Sequence, residues 1–361
     1  MNSGDQRRAR VVRGVTTRRR RWLLLPALVA CVAAGLVAVA ASSATAKSQR
    51  SAFTSASGKQ IRVVVLAGAT SDSFFSTVKL GVTDALSGGA KWGVKLTYLP
   101  LANYNNVGPD MARLEQTALG LHPSAVVTPI FVAPAQLKGI KALEKAHIPV
   151  FTYNSGRDQM TAAGALGYVG TNDFDAGRLA ATNFLKAGVK NVVCINTGPG
   201  YEPSEQRCGG LRSGMKAGGG SAPQLVLPAS SFADPTAIAQ AVKGYIDSHS
   251  TLQGIFALGP QDADAVWTAI QQSGKTGKIK LGNADFGVNS IQRIENGQEL
   301  FLVDQQPYLQ GYYSASMAWQ YAKWGLLPAT STIFTGPLLV NKVNAAQALA
   351  GAKDGVRGVT Q

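Results

Sequence analysis

The 361-residue sequence has few of the residues on which most enzyme and metal chemistry depends. It contains three histidines and three cysteines, and only 15% of its residues are charged. No CxxC pair occurs, and no Cys/His spacing is typical of a metal site, so we predict no metal centre and no other cofactor. The nucleophile motif Gly-x-Ser-x-Gly is also missing. These absences favour a function other than catalysis.

The remaining patterns that could indicate catalysis have structural explanations. Gly274-Lys275-Thr276 resembles the end of a phosphate loop, but Ala269 occupies the position where the first glycine is required. We interpret this segment as the end of a helix followed by a turn. His122, His147 and His249 each precede a predicted strand, at the edge of the sheet opposite to the ligand edge. We therefore predict no catalytic residue.

The net charge of +15 overstates how basic the folded part is. Eight arginines and only one acidic residue, Asp5, lie before residue 47. The rest of the chain has 27 basic and 19 acidic side chains, and the basic ones are scattered singly without interleaved aromatics. A surface for nucleic acid is therefore not expected.

Residues 1–46 have the organisation of an export signal, which places the folded part in the periplasm or on the outer face of the cytoplasmic membrane. A basic region precedes the uncharged apolar run Trp22–Ala41, and Ala44-Thr45-Ala46 is a small-x-small cleavage site. Two alternatives stay open. The apolar run is long enough to remain as an anchor, and Cys31 ends a sequence that resembles a lipoprotein signal. The Ser/Ala-rich residues 47–59 predict a flexible tether.

The two other cysteines, Cys194 and Cys208, lie in one predicted strand–helix unit. The end of a strand and the helix after it can come within bridging distance. Export makes a disulfide permissible, so we predict this bridge, with two buried thiols as the alternative.

The stretch Ile61–Leu86 sets the pattern for the folded part. Ile61–Leu66 is an apolar, β-branched run typical of a strand that is buried on both faces of a parallel sheet. Val78, Val82 and Leu86 follow at helical spacing. The loop between strand and helix lies at the carboxyl end of the strand, where open α/β sheets bind ligands.

Two consecutive sets of such strand–helix units predict two parallel-sheet domains with right-handed crossovers. The first set ends near Gly170, and the second begins with the next helix. Polar residues follow several strands, and these include Asp72, Asn154, Asp285 and Gln305. A cleft between the two domains is the usual place for a small ligand.

With these units in order, the chain resembles the periplasmic sugar-binding proteins of ABC importers, the ribose-binding type, over roughly Ile61 to Lys342. The resemblance implies an α/β fold of two doubly wound parallel-sheet, Rossmann-like domains joined by a three-segment hinge. The crossings are expected near Thr171, Gln306 and Gly336. The implied organisation is a lobe of residues 60–170 plus 307–335, a second lobe of 171–306 plus 337–345, and a tail of 346–361.

The resemblance also implies a set of ligand-binding residues. Ser73-Phe74-Phe75 matches a pair of aromatics in the first loop, and Arg207 lies in a helix start that supplies an arginine to the sugar. Gln305 lies in the matching crossing segment. The full set of candidates is Asp72, Phe74, Phe75, Asn154, Ser155, Arg207, Phe232, Asp262, Asp285 and Gln305. Aromatic rings would cover the CH faces of the ligand, and the polar groups would bond its hydroxyls.

Two departures from the family pattern argue against ribose itself. Asn154-Ser155 stands where the ribose binders have Asp-Arg, and the family's asparagine is replaced near Gly259, where Gln261 or Asp262 is the possible substitute. The class of a small sugar or polyol is unaffected.

The resemblance implies a monomer that captures this ligand and delivers it to the membrane permease of an ABC importer. A ligand-binding ectodomain of a sensor or chemotaxis system is the alternative. A transcription regulator with the same fold would carry a helix-turn-helix where this chain has its apolar export segment.

Overall fold

The computed structural model describes residues 60–231 and 234–357. The export signal predicted for residues 1–46, the tether predicted for 47–59 and the candidate Phe232 lie outside these described residues. No helix of the described part is long and apolar enough to cross a bilayer.

Strands and helices alternate along almost the whole described chain. The strands are β1 Ile61–Ala67, β2 Val94–Pro100, β3 Ala125–Thr128, β4 Val150–Asn154, β5 Tyr168–Thr171, β6 Val192–Asn196, β7 Gln224–Val226, β8 Gly254–Ala257, β9 Lys280–Ala284, β10 Glu299–Asp304, β11 Thr332–Gly336 and β12 Leu338–Val340. The α-helices are α1 Ser73–Gly89, α2 Val107–Gly120, α3 Ala133–Lys145, α4 Met160–Ala163, α5 Asp173–Lys186, α6 Glu202–Ala217, α7 Pro235–Ser248, α8 Pro260–Gln272, α9 Val288–Glu295, α10 Pro307–Trp324 and α11 Ala345–Lys353. Short 3-10 helices occur at Ala90–Trp92 and Ala229–Ser231.

The strands form two six-stranded sheets, which we call the sheets of lobe 1 and lobe 2. The order in lobe 1 is β11-β5-β4-β3-β1-β2, and in lobe 2 it is β12-β10-β9-β8-β6-β7. All pairs are parallel except that β12 runs antiparallel to β10. The predicted fold class, two doubly wound parallel-sheet domains, is confirmed.

The chain passes between the lobes at three places. It leaves lobe 1 between β5 and α5, returns between β10 and α10, and passes to lobe 2 again between β11 and β12. Three connections that lie side by side restrict the relative motion of the lobes to bending, which is how hinged domains close around a ligand.

The start of α1 shows how the sequence builds the edge that faces the other lobe. The side chain of Asp72 accepts a hydrogen bond from the Phe74 amide at 2.9 Å and so caps the helix. Val78 and Val82, on one face of the helix, are fully buried. Burial of such a side chain contributes about 1.5–3 kcal/mol, which fixes the helix and its cap in place.

A disulfide joins Cys194 at the centre of β6 to Cys208 in α6, with a Cα–Cα distance of 5.7 Å. The predicted bridge is therefore confirmed. It ties the amino-terminal half of α6 to the sheet of lobe 2.

The end of the chain differs from the expected tail over 346–361. Residues Ala345–Lys353 form α11, whose alanines at 345, 348 and 352 are buried in a cluster with Phe286 and Ile291. The segment has no large apolar side chain at helical spacing apart from Leu349, which explains why the sequence did not predict a packed helix.

Candidate ligand-binding site

The carboxyl end of β1 in lobe 1 supplies an acidic group to the cleft between the lobes. Asp72 accepts hydrogen bonds from the Phe74 amide at 2.9 Å and from the Tyr104 hydroxyl at 2.8 Å. Burial raises the pKa of Asp72 to about 6, against the lowering effect of these two bonds, and the charge of Asp285 raises it further. Because Asp285 belongs to lobe 2, a charge of one lobe acts on a carboxyl of the other.

The two neighbouring aromatics of α1 have different environments. Phe75 is 3% exposed and packs edge-on against Phe131, with ring centroids 5.8 Å apart, and against Tyr153 at 6.5 Å. Phe74 is only partly buried and lies edge-on to Phe75 at 5.1 Å. Phe75 thus belongs to the core beneath the cleft, and Phe74 is the ring with free surface.

The residues after β4 line the same wall of lobe 1. Asn154 is buried, has a left-handed backbone conformation with φ +60°, and accepts a hydrogen bond from the Tyr168 hydroxyl through its carbonyl at 2.8 Å. Ser155 donates its hydroxyl to the Ile130 carbonyl at 2.7 Å. The side chain of Ser155 therefore has a partner within its own lobe, whereas no described residue hydrogen-bonds the side-chain amide of Asn154.

Arg207 is the centre of the lobe 2 wall. Its Nε donates to Asp173 at 2.8 Å, and its Nη1 lies 3.3 Å from the Leu258 carbonyl and 3.5 Å from Asp285. The residue is 6% exposed. Burial alone would lower the pKa of the guanidinium, but the carboxylates of Asp173 and Asp285 outweigh it and raise that pKa. The charge of Arg207 is therefore fixed, and so is the plane of its donors.

The two carboxyls that pair with Arg207 have raised pKa values despite these ion pairs. Burial raises the pKa of Asp173 to about 6, although Arg207 lowers it. Burial also raises the pKa of Asp285, against the lowering effect of Arg207 and Gln305. Asp285 has a left-handed backbone with φ +68°, a strained conformation that recurs at ligand sites.

The crossing segment after β10 adds an amide to this group. Gln305 is 2% exposed and donates its Nε2 to Asp285. Its Oε1 is buried and has no hydrogen-bond partner among the described residues. A buried acceptor without a donor costs about 1–3 kcal/mol, so this atom is suited to a donor supplied by a ligand.

Asp262, in the first turn of α8, completes the acidic set. It accepts a hydrogen bond from the Thr197 hydroxyl at 2.9 Å. Burial raises the pKa of Asp262 to about 7, Thr197 lowers it, and the charges of Asp72 and Asp285 raise it. The charge of Asp285 therefore acts on the carboxyls of both Asp72 and Asp262, which come from separate elements of the fold.

Four residues of the site were not predicted from the sequence: Tyr104, Phe131, Asp173 and Tyr201. The rings of Tyr201 in lobe 2 and Phe131 in lobe 1 have centroids 5.1 Å apart, so the lobes touch across the cleft. Burial raises the pKa of Tyr201, followed by the charge of Asp72. Tyr201 directly precedes α6, and Asp173 is the first residue of α5, so position at a helix start was the signal that could have found them.

The structure brings most of the predicted residues together. Asp72, Asp262, Asp285, Gln305 and Arg207 interact directly or through their charges. Phe74, Asn154 and Ser155 flank them on the lobe 1 side, while Phe75 lies in the core and Phe232 is outside the described residues. Within residues 60–231 and 234–357, no group of three or more His, Cys, Asp or Glu side chains could hold a metal ion.

Two hinged parallel-sheet lobes with aromatic and ionisable groups between them define a two-lobed ligand-binding protein. The family model described as the periplasmic binding protein domain matches residues 63–326. The chain therefore belongs to the periplasmic binding protein family.

Individual relatives agree with this assignment. The xylose/arabinose-binding protein XylF of Sulfolobus acidocaldarius is 27% identical over 302 residues, which cover 78% of this chain and 71% of the relative. A carbohydrate transporter from Acidothermus cellulolyticus 11B, solved in complex with myo-inositol, is 27% identical with a TM-score of 0.75, covering 83% of this chain and all of that structure. A solute-binding protein from Actinobacillus succinogenes 130z with bound D-allose has a TM-score of 0.68 at 21% identity, covering 80% of this chain and 100% of its own.

Proposed function

We propose that this protein captures a neutral small sugar or polyol in the cleft between its lobes and delivers it to an ABC importer. The observation that carries the proposal is the composition of the cleft. A partly exposed aromatic ring, Phe74, follows the capping residue Asp72 on the lobe 1 wall, and the lobe 2 wall holds Asp285 and an arginine that is already paired with two acidic side chains. Sugars and polyols offer this arrangement both an apolar CH face and many hydroxyl donors.

The acidic side chains specify what the polar part of the ligand supplies. Burial raises the pKa of Asp72, Asp262 and Asp285, and the charge of Asp285 adds to this effect on the other two, so a hydroxyl that donates to the ionised form of each carboxyl is favoured. Gln305 Oε1 needs a donor for the same reason. A ligand with several adjacent hydroxyls satisfies these acceptors together.

The charge balance favours a neutral ligand over an anionic one. Arg207 is the cationic partner of both Asp173 and Asp285. The cleft therefore has more negative than positive groups, and a sugar acid or sugar phosphate would be repelled. The relatives at 27% identity are in line with this proposal, because one is named for xylose and arabinose and the other was solved with myo-inositol.

The membership of the periplasmic binding protein family supports an extracytoplasmic site of action and a permease partner. We infer that the protein acts as a monomeric carrier without catalytic activity, and the same relatives favour transport over the sensor alternative. The three-segment hinge supports this role, since the permease can distinguish closed from open lobes.

A thermal-shift panel tests the proposal. The purified protein is heated with pentoses, hexoses and polyols, including D-xylose, L-arabinose and myo-inositol. A ligand at about 100 times its Kd stabilises the protein by about 2.7 kcal/mol, so the melting temperature should rise with at least one of them. D-Glucuronate is the anionic control and should cause no shift. A panel without any shift would contradict the proposed ligand class.

A further inference from the structure

The edge of lobe 1 that lies opposite to the cleft carries a cluster of three tryptophans, of which Trp324 is exposed and Trp92 is half-buried. The ring centroids of Trp92 and Trp319 are 5.3 Å apart, those of Trp92 and Trp324 are 4.9 Å apart, and those of Trp319 and Trp324 are 5.2 Å apart. Trp319 is 6% exposed and forms the floor of the cluster, while Trp324 is 41% exposed. The cluster therefore presents indole surface to the outside.

Two leucines extend this surface beyond the end of α10. Leu326 is 53% exposed and Leu327 is 44% exposed, and both follow Trp324 closely in the chain. We call Trp92, Trp324, Leu326 and Leu327 the tryptophan patch. Contiguous large apolar side chains that remain exposed mark an interaction surface more often than single ones do.

The two segments that form the tryptophan patch carry charge of one sign. The segments 87–97 and 314–331, which contain it, include Lys91, Lys95 and Lys323 but no aspartate or glutamate. The Nζ of Lys91 lies 4.3 Å from the centre of the Trp92 ring. Tryptophan with flanking lysine and exposed leucine is the combination that suits the interface of a lipid bilayer, where indole rings sit at headgroup level and lysines reach anionic headgroups.

The position of the tryptophan patch indicates which partner it contacts. The amide of Ile61, at the start of β1, donates to the carbonyl of Gly93 at 3.3 Å, and Gly93 directly follows Trp92. The preceding part of the chain therefore joins the folded part beside the patch. That part contains the uncharged apolar run 22–41, and residues 47–59 add Lys47, Arg50 and Lys59 without an acidic residue.

The length of the connection limits how far the patch can lie from a membrane that holds the apolar run. Residues 47–59, fully extended, reach about 45 Å at about 3.5 Å per residue. In a chain that retains the apolar run as an anchor, a connection of this length keeps the patch at a high effective concentration over the bilayer, so a weak affinity for lipid is enough to dock it.

We propose that the tryptophan patch is a membrane-contact surface that docks lobe 1 on the outer face of an anionic bilayer. The patch lies at the amino ends of the lobe 1 strands, and the cleft lies at their carboxyl ends. Docking through the patch therefore leaves the cleft open to ligand. The surface does not depend on which ligand the cleft binds.

Quenching of tryptophan fluorescence by brominated lipid tests this proposal on the full-length chain. The chain has five tryptophans, and Trp22→Phe removes the one in the apolar run. The Trp22→Phe protein is mixed with phosphatidylcholine–phosphatidylglycerol vesicles that contain brominated phosphatidylcholine. We expect marked quenching, and we expect Leu326→Ser/Leu327→Ser to reduce it by about twofold or more because less apolar area enters the interface.

Val343→Ser is the matched control, since Val343 is 94% exposed in lobe 2 and its loss should leave the quenching unchanged. Vesicles of phosphatidylcholine alone should quench less, because their headgroups carry no net negative charge to attract the basic segments. Equal quenching of the parent and the double leucine variant, with both proteins folded, would overturn the proposal. Self-association through the patch would overturn the proposal as well. It would be seen as a dimer that the double leucine variant abolishes, while the quenching by lipid stays the same.

Discussion

The two walls of the cleft differ in the chemistry that they present. The wall from lobe 1 offers aromatic surface and one carboxyl, Asp72, which is fixed by a helix cap and a tyrosine hydroxyl. The wall from lobe 2 is a connected polar group in which Arg207 links Asp173 to Asp285, and Gln305 extends it. One wall is suited to cover a ring and the other to bond its hydroxyls.

This difference also shows where rigidity comes from. In lobe 2 the disulfide attaches Cys208, the residue next to Arg207, to the centre of β6. Lobe 1 has no cysteine among its residues, and its wall is held by packing of Phe75 on Phe131 and Tyr153. The polar groups that must keep a fixed orientation thus lie in lobe 2, which contains the disulfide.

The largest expected effect comes from removing the cation of the lobe 2 wall. Arg207→Ala leaves Asp173 and Asp285 buried without their partner, which should lower the free energy of unfolding by about 3–5 kcal/mol. It should also weaken sugar or polyol binding by about tenfold or more, roughly 1.4 kcal/mol. Chemical denaturation and calorimetric titration measure the two effects.

Arg293 provides a matched control for this variant. Its side chain is 8% exposed and pairs with Glu299 at 2.9 Å, also in lobe 2, but it has no contact with the carboxyls of the cleft. Arg293→Ala should destabilise the protein to a similar degree and leave the affinity unchanged. If Arg207→Ala binds the ligand as tightly as Arg293→Ala does, Arg207 has no role in recognition.

The acidic groups predict how stability without ligand depends on pH. Burial raises the pKa of Asp262 from 3.8 to about 7, so between these values the folded protein binds the proton that the unfolded chain releases. The protonated carboxyl's contribution to the free energy of unfolding is complete below about pH 4 and is lost as the pH rises through about 7. For a pKa shift of this size the loss is at most about 4 kcal/mol.

Urea denaturation at pH 4.5 and pH 7.5 measures this loss. Asp262→Asn keeps an acceptor for Thr197 but cannot titrate, so its unfolding free energy should fall less between the two pH values. Asp72 and Asp173, with pKa values raised to about 6, contribute in the same direction and remain in the variant. An identical loss in parent and variant would show that Asp262 is ionised throughout.

Loss of the disulfide should destabilise lobe 2 by a smaller amount. The bridge closes a loop with a sequence separation of 14 residues. In the chain-entropy model a loop of about 15 residues contributes about 3 kcal/mol. Cys194→Ala/Cys208→Ala should lower the unfolding free energy by this amount, with faster amide exchange in lobe 2 than in lobe 1. Reductant should destabilise the parent but not the double variant, and an effect on both would have another cause.

The smallest expected effect tests the aromatic wall. Phe74→Ala should weaken binding by about 0.5–1.5 kcal/mol, because the ring faces of a ligand lose their apolar cover. Tyr312→Ala, at an aromatic that is 37% exposed on α10, is the control and should bind like the parent. Calorimetry resolves such a difference, and equal weakening by both changes would speak against a stacking role for Phe74.

Much of the fold follows from the periodicity of the sequence. The buried apolar runs, each followed by a helical pattern, were sufficient to predict two parallel sheets and the bridge between Cys194 and Cys208. The polar residues that directly follow strands, such as Asp285 and Gln305, were also predicted, because strand ends of a parallel sheet lie on one edge.

The remaining parts of the site depend on side-chain direction and on contacts between distant segments. Phe74 and Phe75 are adjacent in the sequence, yet successive helical residues point about 100° apart, so only one can face the core. In the sequence, Asp173 is an ordinary acidic residue at the start of a predicted helix. Its pairing with Arg207 depends on how α5 packs on α6. Tyr201 reaches Phe131 only when the lobes meet.

The ligand class of the cleft is best tested by calorimetric titration of the parent protein with D-xylose, L-arabinose and myo-inositol at pH 8. We expect saturable one-to-one binding of at least one of them, with loss of that binding in Arg207→Ala and its retention in Arg293→Ala. No heat of binding from any of the three, or binding that survives in Arg207→Ala unchanged, would contradict the claim that the cleft holds a neutral sugar or polyol against the lobe 2 wall.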